Sequence, residues 1–262
     1  MVVTISFFDD TSVPEFRDYR QIKHTVFVRE QGWELPSEQD AELVHPDAFD
    51  AQSMFVVARA QGRAIGIARA TMIRDAFPHA DFFDGQMARP ELQAVHSVLA
   101  TVNAVAVLPE FRGSAVRIER CARSMTAGKA LMVELTRRLA KAGAAVVLLT
   151  TSPGVAAIFF DHLGYYLIDP PFWSGGRTLI NMGLCIHDAD HFRAIGSPLA
   201  DLAYSKIASE AERRCIAYFR ERSSMILQGM RIEELFPVTG AGREDRTGAT
   251  ADPWRQRGKR RT

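Results

Sequence analysis

The sequence predicts an α/β protein in which crossover helices pack on a mixed sheet and a helical extension follows. Three observations support this prediction. Short β-rich runs alternate with runs whose apolar residues recur at helical spacing. Two neighbouring β-rich runs are joined by a tight Gln61-Gly62 turn, which indicates an antiparallel hairpin. After Asp190 the β-rich runs stop and helical spacing continues alone.

The first half of the chain begins with a strand and a helix. Residues 2–8 read Val-Val-Thr-Ile-Ser-Phe-Phe, a β-branched and aromatic run typical of a strand. Residues 14–29 form a predicted helix, because its apolar side chains share one face: Phe16, Tyr19, Ile22, Val26 and Phe27. The hairpin strands follow at 54–59 and 64–72, after a turn-rich acidic segment. A polar and aromatic excursion with two prolines covers 75–91.

The second half continues the alternation. Residues 97–108 form a predicted strand of small and β-branched residues, which Pro109 ends. An amphipathic helix at 127–142 and a fully apolar strand at 144–150 follow. The last predicted elements of the core are a helix and two strands, at 155–163, 165–168 and 178–186.

These elements divide the chain into three predicted parts. Residues 1–189 form the α/β domain. Residues 190–238 form the helical extension, a candidate dimer element, because small and apolar residues recur at helical spacing: Ala200, Ala203, Ile207, Ala211, Cys215 and Phe219. Residues 239–262 are rich in Gly, Thr, Pro and Arg with no apolar period, which predicts a disordered basic tail.

Composition and charge argue against several classes of protein. The 262 residues carry a net charge of +1, so we expect neither nucleic acid nor a membrane as a partner. The N-terminus lacks the basic start and apolar run of a secretion signal, and no apolar run approaches the ~20 residues of a membrane span. The three cysteines have no metal-ligand spacing, and their odd number fits a reducing compartment. We therefore expect a cytoplasmic protein without a metal site.

The segment with the clearest chemical meaning is Asn103-Ala-Val-Ala-Val-Leu-Pro-Glu-Phe-Arg-Gly113. It ends a predicted strand with a Val-x-Pro-x-Phe-Arg-Gly turn, and a helix follows. Such a turn can direct backbone N–H groups and a helix N-terminus at an anion such as the pyrophosphate of coenzyme A. By itself, the same turn is also compatible with a surface loop that carries an exposed arginine.

This segment resembles the cofactor motif of GNAT superfamily acyltransferases, which reads roughly Val-x-Pro-x-Tyr-Arg-Gly before Gly-rich residues and a helix. A second segment, Phe159-Phe-Asp-His-Leu-Gly-Tyr165, resembles the family's Phe-Tyr-x-x-Leu-Gly-Phe helix-to-strand signature. The resemblance covers about residues 100–168, with the strand at 144–151 where the family's splayed fifth strand would be. It implies a GNAT-like splayed sheet with helices on both faces. It also implies acyl transfer from acetyl-CoA or a longer acyl-CoA to an amine.

The cofactor motif departs from the family pattern, because residues 114–122 separate its Arg-Gly turn from the helix start. The following Arg123-Ser-Met-Thr-Ala-Gly-Lys-Ala-Leu131 itself resembles the family's phosphate loop, which implies a pyrophosphate site at 124–129. Small residues there let the backbone approach the phosphates. Lys129 is either an added cation or a solvated helix residue. The cofactor-binding residues implied by the resemblance are Val105, Val107, Arg112, Gly113, Arg123, Ser124, Thr126, Ala127, Gly128 and Lys129.

The N-terminal third resembles acyl-homoserine lactone synthases and the related N-acyl amino acid synthases. The shared features are Val-Phe, Gly-Trp, Phe-Asp and Gly-x-Ala-Arg at comparable positions. This resemblance implies that Phe27, Trp33 and Arg69 bind substrate, and that Asp50 pairs with Arg69 under an N-terminal lid. It also makes an acyl carrier protein a candidate donor. The alternatives are ordinary core or lid aromatics, and a surface ion pair between Asp50 and Arg69.

The residues expected to move protons are absent from their motif positions. The lactone synthases carry a Glu and an Arg on the strand before the Pro turn, where this chain has Thr101 and Ala104. GNAT enzymes often use the Tyr of the Phe-Tyr pair as general acid, where this chain has Phe160. A base must therefore come from elsewhere. The candidates are His96, Asp50, Glu42, and a water held by Thr101 and Asn103.

Three functions are compatible with these patterns. The first is an N-acyltransferase that uses acyl-CoA and a small-molecule amine. The second is an acyl-carrier-protein-dependent N-acyl amino acid or homoserine lactone synthase, although Thr101 and Ala104 argue against lactone formation. The third is a GNAT-like module that binds CoA or acyl-CoA without catalysis.

Overall fold

The computed structural model describes residues 1–32, 48–74, 76–118, 124–203 and 208–236. Its strands are β1 (Val2–Phe8), β2 (Ser53–Ala60), β3 (Arg63–Met72), β4 (Leu99–Val107), β5 (Ala115–Ile118), β6 (Met125–Thr126), β7 (Val146–Thr151), β8 (Tyr166–Leu167), β9 (Phe172–Ser174) and β10 (Arg177–Cys185). Its α-helices are α1 (Pro14–Lys23), α2 (Asp84–Met87), α3 (Pro90–Gln93), α4 (Ala127–Lys141), α5 (Pro153–His162), α6 (Ala189–Ile195), α7 (Ala200–Ala203), α8 (Glu210–Gly229) and α9 (Ile232–Leu235). A π-helix over His24–Glu30 continues α1.

The described strands form one mixed sheet in the order β6-β5-β1-β2-β3-β4-β7-β10-β8, with β9 paired to β10. Neighbours run antiparallel except β1 with β5 and β4 with β7, which are parallel. The mixed sheet predicted from the sequence is therefore confirmed. No helix in these described ranges combines the length and apolar character needed to cross a membrane.

Three strands were not predicted from the sequence. β5 and β6 lie within and just after the segment that interrupts the cofactor motif, and β5 extends the sheet beyond β1. β9 forms a hairpin with β10 through Gly175 and Gly176, which both adopt positive φ. These strands are two to four residues long. Runs this short do not produce a distinguishable period in a sequence.

Helices cover both faces of the sheet, as expected. On one face of β2, Val56 and Ala58 belong to a hydrophobic cluster that also contains residues of α4. Leu131 of α4 is completely buried in this cluster. The alternate residues of β2 face α1, and the Phe55 ring lies 4.8 Å from the ring of Tyr19. This division follows from the period of two in a strand. Burial of each large side chain contributes about 1.5–3 kcal/mol.

The described residues after β10 form several helices. α6 ends at Gly196, which adopts a positive φ of 66°. α8 begins with a capping box between Ser209 and Glu212. Phe219 of α8 is completely buried, and a Cβ on Gly183 of β10 would lie 2.5 Å from its ring. α8 therefore packs directly on the sheet. The division into domains remains a prediction, and the tail predicted at 239–262 lies outside the described residues.

β4 has a β-bulge at the point where it separates from β7. Arg69 pairs with Ala104 and Ala70 pairs with Val102, so Asn103 is the extra residue of a β-bulge. The parallel pairing of β4 with β7 ends at Val102, although β4 continues to Val107. Past the bulge, β3 is the only described strand that pairs with β4. This is the splay that the resemblance implied between this strand and the strand predicted at 144–151.

Candidate active site at the opening of the sheet

A cavity of about 600 Å³ lies where β4 and β7 separate. Thr101, Asn103 and Ala104 line it from β4, and Thr150 lines it from β7. Much of the remaining wall is aromatic: Phe27, Phe49, Phe82 and Phe83. A concave, largely apolar space with a few convergent polar groups is the usual form of a small-molecule site.

The charged groups on the cavity wall are cationic. Lys23, Arg69 and Arg177 line the cavity, and no acidic residue does so among the residues that the structure describes. Lys23 is only 9 % exposed. Arg69 Nη1 donates to Asp50 Oδ1 at 2.6 Å, and both side chains are buried. The predicted Asp50–Arg69 pair is therefore present, and it is a buried pair rather than a surface one.

A chain of hydrogen bonds orients Asn103. Its Nδ2 donates to Thr71 Oγ1 at 2.8 Å, and the hydroxyls of Thr71 and Ser53 are 2.8 Å apart. Ser53 Oγ donates to the Phe49 carbonyl at 2.7 Å. Because Ser53 has one hydroxyl proton, the proton shared with Thr71 belongs to Thr71. Asn103 Oδ1 is buried and has no hydrogen-bond partner within the described protein.

A second set of hydrogen bonds holds the opposite wall. Thr150 Oγ1 donates to Asn181 Oδ1 at 2.6 Å, and Asn181 Nδ2 donates to the Phe82 carbonyl at 2.6 Å. Asn181 Nδ2 also reaches Asp169, which accepts from Gln86 at 2.5 Å. These hydrogen bonds hold residues 76–91, the described part of the predicted excursion, against the wall of the cavity. The sequence analysis did not select Thr150 or Asn181, although a buried polar residue in the apolar run 178–186 was a usable signal.

The predicted catalytic and substrate residues are partly brought together. Thr101, Asn103, Phe27 and Arg69 line the cavity. Asp50 lies behind Arg69, while His96 lies at the start of β4 and is not part of the described lining. Trp33 and Glu42 lie outside the described residues. The roles assigned to all of these residues remain predictions.

The predicted phosphate loop lies beside the open end of β4. α4 begins at Ala127, and the Thr126 side chain does not cap it. A Cβ on Gly128 would lie 3.8 Å from Val107 Cγ2, in ordinary contact. Burial lowers the pKa of Lys129, with the Asp161 charge opposing this shift. Ser124 precedes this turn, and Arg123 lies outside the described residues.

The peptide groups of Val105 and Val107 face the opening. The N–H of Leu108 donates to the Ile65 carbonyl on β3 at 2.9 Å. Because successive peptide groups of a strand point to opposite edges, those of Val105 and Val107 point away from β3. Consistently, the Val107 carbonyl accepts from Arg112 Nε at 2.9 Å. No described strand pairs with this edge beyond Val102.

Arg112 connects this edge to the π-helix. Besides its bond to Val107, its guanidinium makes a two-point ion pair with Glu30, in which Nη2 lies 2.6 Å from Oε2. Gly113 follows with a φ of 74°. The cofactor-binding roles of both residues remain predictions, since the Arg112 guanidinium is already engaged by Glu30 and Val107.

Comparisons with known proteins bear on the fold. No protein-family model matches the sequence, and no curated protein matches it. Matching solved structures include TofI in a ternary complex with an inhibitor and MTA, at 18 % identity and a TM-score of 0.54 over 76 % of this chain and 99 % of TofI. BjaI, a CoA-dependent acyl-homoserine lactone synthase with SAM and isopentyl-CoA, is 16 % identical, with a TM-score of 0.51 over 82 % and 99 %. FeeM, an N-acyl amino acid synthase from uncultured soil microbes, is 14 % identical, with a TM-score of 0.52 over 76 % and 97 %.

The protein has the GNAT fold. Within the GNAT fold, the splayed strand predicted at 144–151 is β7, and its partner β4 carries the bulge. Among the described residues, no group of three His, Cys, Asp or Glu side chains is placed to hold a metal ion.

Phe160, at the position where GNAT enzymes often carry a Tyr that acts as general acid, is not part of the described lining of the first cavity. Its ring lies 6.2 Å from that of Phe236 and lines a second cavity of about 330 Å³. Tyr166, His191 and Arg220 also line this second cavity. Tyr166 Oη donates to Asp188 at 2.6 Å, and burial raises the pKa of this hydroxyl.

Proposed function

We propose that the protein is an N-acyltransferase that moves an acetyl or longer acyl group from acyl-CoA to the amine of a small molecule. The observation that carries this proposal is the cavity at the splay. It combines an unpaired edge of β4, a loop at the start of α4 beside that edge, and a space of about 600 Å³ for the acceptor and acyl group.

Each of these parts has a proposed role toward the thioester. The peptide groups of Val105 and Val107 hydrogen-bond the pantetheine arm along the edge that β7 has left. The backbone N–H groups at 124–129 hold the pyrophosphate, because the start of a helix carries unsatisfied donors and a partial positive charge. Arg123 and Lys129 add cations there.

The reaction needs one proton transfer beyond the positioning of its two substrates. The amine lone pair attacks the thioester carbonyl carbon, the C–N bond forms, and the C–S bond breaks with its electrons on sulfur. The nitrogen loses one proton, and the departing thiolate gains one. Because Asp50 is paired with Arg69, we propose that a water held near Thr101 and Asn103 carries this proton.

The cations favour a second candidate, an N-acyl amino acid synthase that takes its acyl group from CoA or from an acyl carrier protein. Lys23 and Arg177 line the cavity beside the Asp50–Arg69 pair, so a carboxylate on the acceptor would lie among cationic side chains. FeeM, which shares the fold, is named an N-acyl amino acid synthase, and BjaI is named a CoA-dependent acyl-homoserine lactone synthase. Lactone formation is disfavoured by Thr101 and Ala104, as the sequence indicated.

Binding and turnover of the purified protein test these proposals. Acetyl-CoA and longer acyl-CoAs should raise the melting temperature by mass action. Release of free thiol should then follow addition of amines, tested as amino acids and as their methyl esters. A preference for the free acids would favour the second candidate. Binding without thiol release from any amine would instead support a non-catalytic module.

The Gly128→Phe substitution tests the location of the donor. The Phe ring would fill the space between the start of α4 and Val107, so the shift in melting temperature by acyl-CoA should disappear. Gly128→Ala is the matched control, because its Cβ would only reach ordinary contact with Val107. Retained binding in Gly128→Phe would move the donor away from this loop.

A further inference from the structure

Asn103 has a hydrogen-bond acceptor, its Oδ1, that no described group of the protein satisfies. This oxygen is buried, and leaving a buried acceptor without a partner is unfavourable. Such atoms are rare in native proteins and call for a missing donor. Asn103 is also the bulged residue of β4 and lines the cavity at the splay.

The orientation of this amide is fixed from behind. Ser53 gives its proton to the Phe49 carbonyl, and Thr71 gives its proton to Ser53. Thr71 Oγ1 can then only accept from Asn103, at 2.8 Å. If the amide were flipped, Asn103 Oδ1 would lie opposite Thr71 Oγ1, and neither oxygen would have a proton to donate to the other. The NH₂ group is therefore held toward Thr71, and the amide oxygen is turned away from Thr71.

We propose that Asn103 Oδ1 accepts a hydrogen bond from an N–H of the attacking amine, with Thr71 and Ser53 as positioning residues. This inference rests on the proposed acyltransferase function. The attacking nitrogen gains positive charge as the C–N bond forms, and a carbonyl oxygen that accepts its N–H stabilises that charge. The hydrogen bond also directs the nitrogen lone pair away from Asn103.

The proposal sets the class of acceptor. A primary amine has two N–H bonds, so one can remain on Asn103 while the other proton is lost through water. A secondary amine has one N–H, which is the proton that must leave. The amide formed from a primary amine also keeps its N–H for Asn103. The protein should therefore acylate primary amines and discriminate against their N-methyl derivatives.

Steady-state kinetics on matched amines test the proposal. For the wild-type protein, kcat/KM should be on the order of 10–100-fold higher for a primary amine than for its N-methyl derivative. Asn103→Leu should remove most of this discrimination, with the KM for the thioester unchanged. Thr71→Val, which keeps the side-chain shape, should weaken the discrimination. Thr71→Ser, which keeps the hydroxyl, should restore it.

The outcomes separate this inference from the proposed function. No thiol release by the wild-type protein with any amine refutes the proposed function, and this inference with it. Turnover by the wild-type protein with equal discrimination in Asn103→Leu, Thr71→Val and wild type refutes this inference alone. If Asn103→Leu does not fold, the Thr71→Val and Thr71→Ser pair decides the question, with melting temperatures as the check on folding.

Discussion

The two cavities described above each have on their wall an arginine that pairs with a buried aspartate, and the two pairs differ in their access to water. At the splay, the Arg69 and Asp50 side chains are 3 % and 8 % exposed. At the second cavity, Asp188 is 3 % exposed, but Arg220 is 48 % exposed. Both contacts are short, at 2.6 and 2.5 Å. Water can therefore solvate the Arg220 guanidinium if its partner is lost, whereas the Arg69 guanidinium is almost closed to water.

The largest expected change in stability comes from breaking the buried Asp50–Arg69 pair. Arg69→Met leaves the Asp50 carboxylate buried without its guanidinium, which should lower the free energy of unfolding by about 3–5 kcal/mol. Urea denaturation measures this change. The double variant Arg69→Met with Asp50→Asn is the control, and it should recover much of the loss. A loss below about 1 kcal/mol, as for a surface pair, would remove the contrast between the cavities.

A smaller effect is expected at the second cavity. Arg220→Ala should cost about 1 kcal/mol, because Asp188 keeps its bonds from Tyr166 Oη and from the His191 backbone N–H. Arg193→Ala, at an exposed pair with Asp190, is the matched control and should change stability by less. Thiol release should be unchanged in Arg220→Ala. A loss of turnover at constant stability would connect the second cavity to the reaction.

The smallest expected effect is a dependence of stability on pH, and it comes from His191 on the wall of the second cavity. Burial lowers the pKa of His191 below its ordinary value of 6.5, with Asp188 opposing and Arg220 reinforcing this shift. The unfolded chain therefore binds the proton at a higher pH than the folded protein does. Stability should fall as the pH drops through 6.5 toward the folded pKa, and it should be level above that window.

The substitution His191→Phe checks this origin, because a Phe ring keeps the stacking on Tyr166, whose centroid lies 4.4 Å away. The stability profile measured by urea denaturation between pH 5 and 8 should become flatter. It should not become flat, because burial and Lys129 also lower the pKa of His162. An unchanged slope would assign the acid sensitivity to other groups.

The sequence predicted the elements of this fold better than it predicted the contacts in the site. The long periodic runs, such as 14–29 and 127–142, became helices because local spacing determines their buried faces. Of the site, Thr101, Asn103, Phe27 and the Asp50–Arg69 pair were selected through motifs. The fold brings the segments that carry these motifs together around one cavity.

The hydrogen-bond networks were missed for a physical reason. Asn103 and Thr71 are 32 residues apart, and Thr150 and Asn181 are 31 apart. Which residues face each other across strands depends on the register, and one bulge changes that register. A sequence pattern of apolar and polar residues does not contain this information. The same limit explains why Lys23 and Arg177 were not assigned to the cavity.

The bulge at Asn103 also determines what kinds of change β4 can accept. Before it, Ala100 and Val102 face α4; after it, Ala104 and Ala106 face the aromatic cluster of α1. Loss of Asn103 itself would join Val102 to Ala104 in regular alternation and keep every later side chain on its present face. Loss of a residue after the bulge, with the bulge retained, would instead exchange the faces of the residues that follow. In evolutionary terms, position 103 is where this strand can change length. Deletions within 99–107 among relatives of this protein should therefore fall at the bulge.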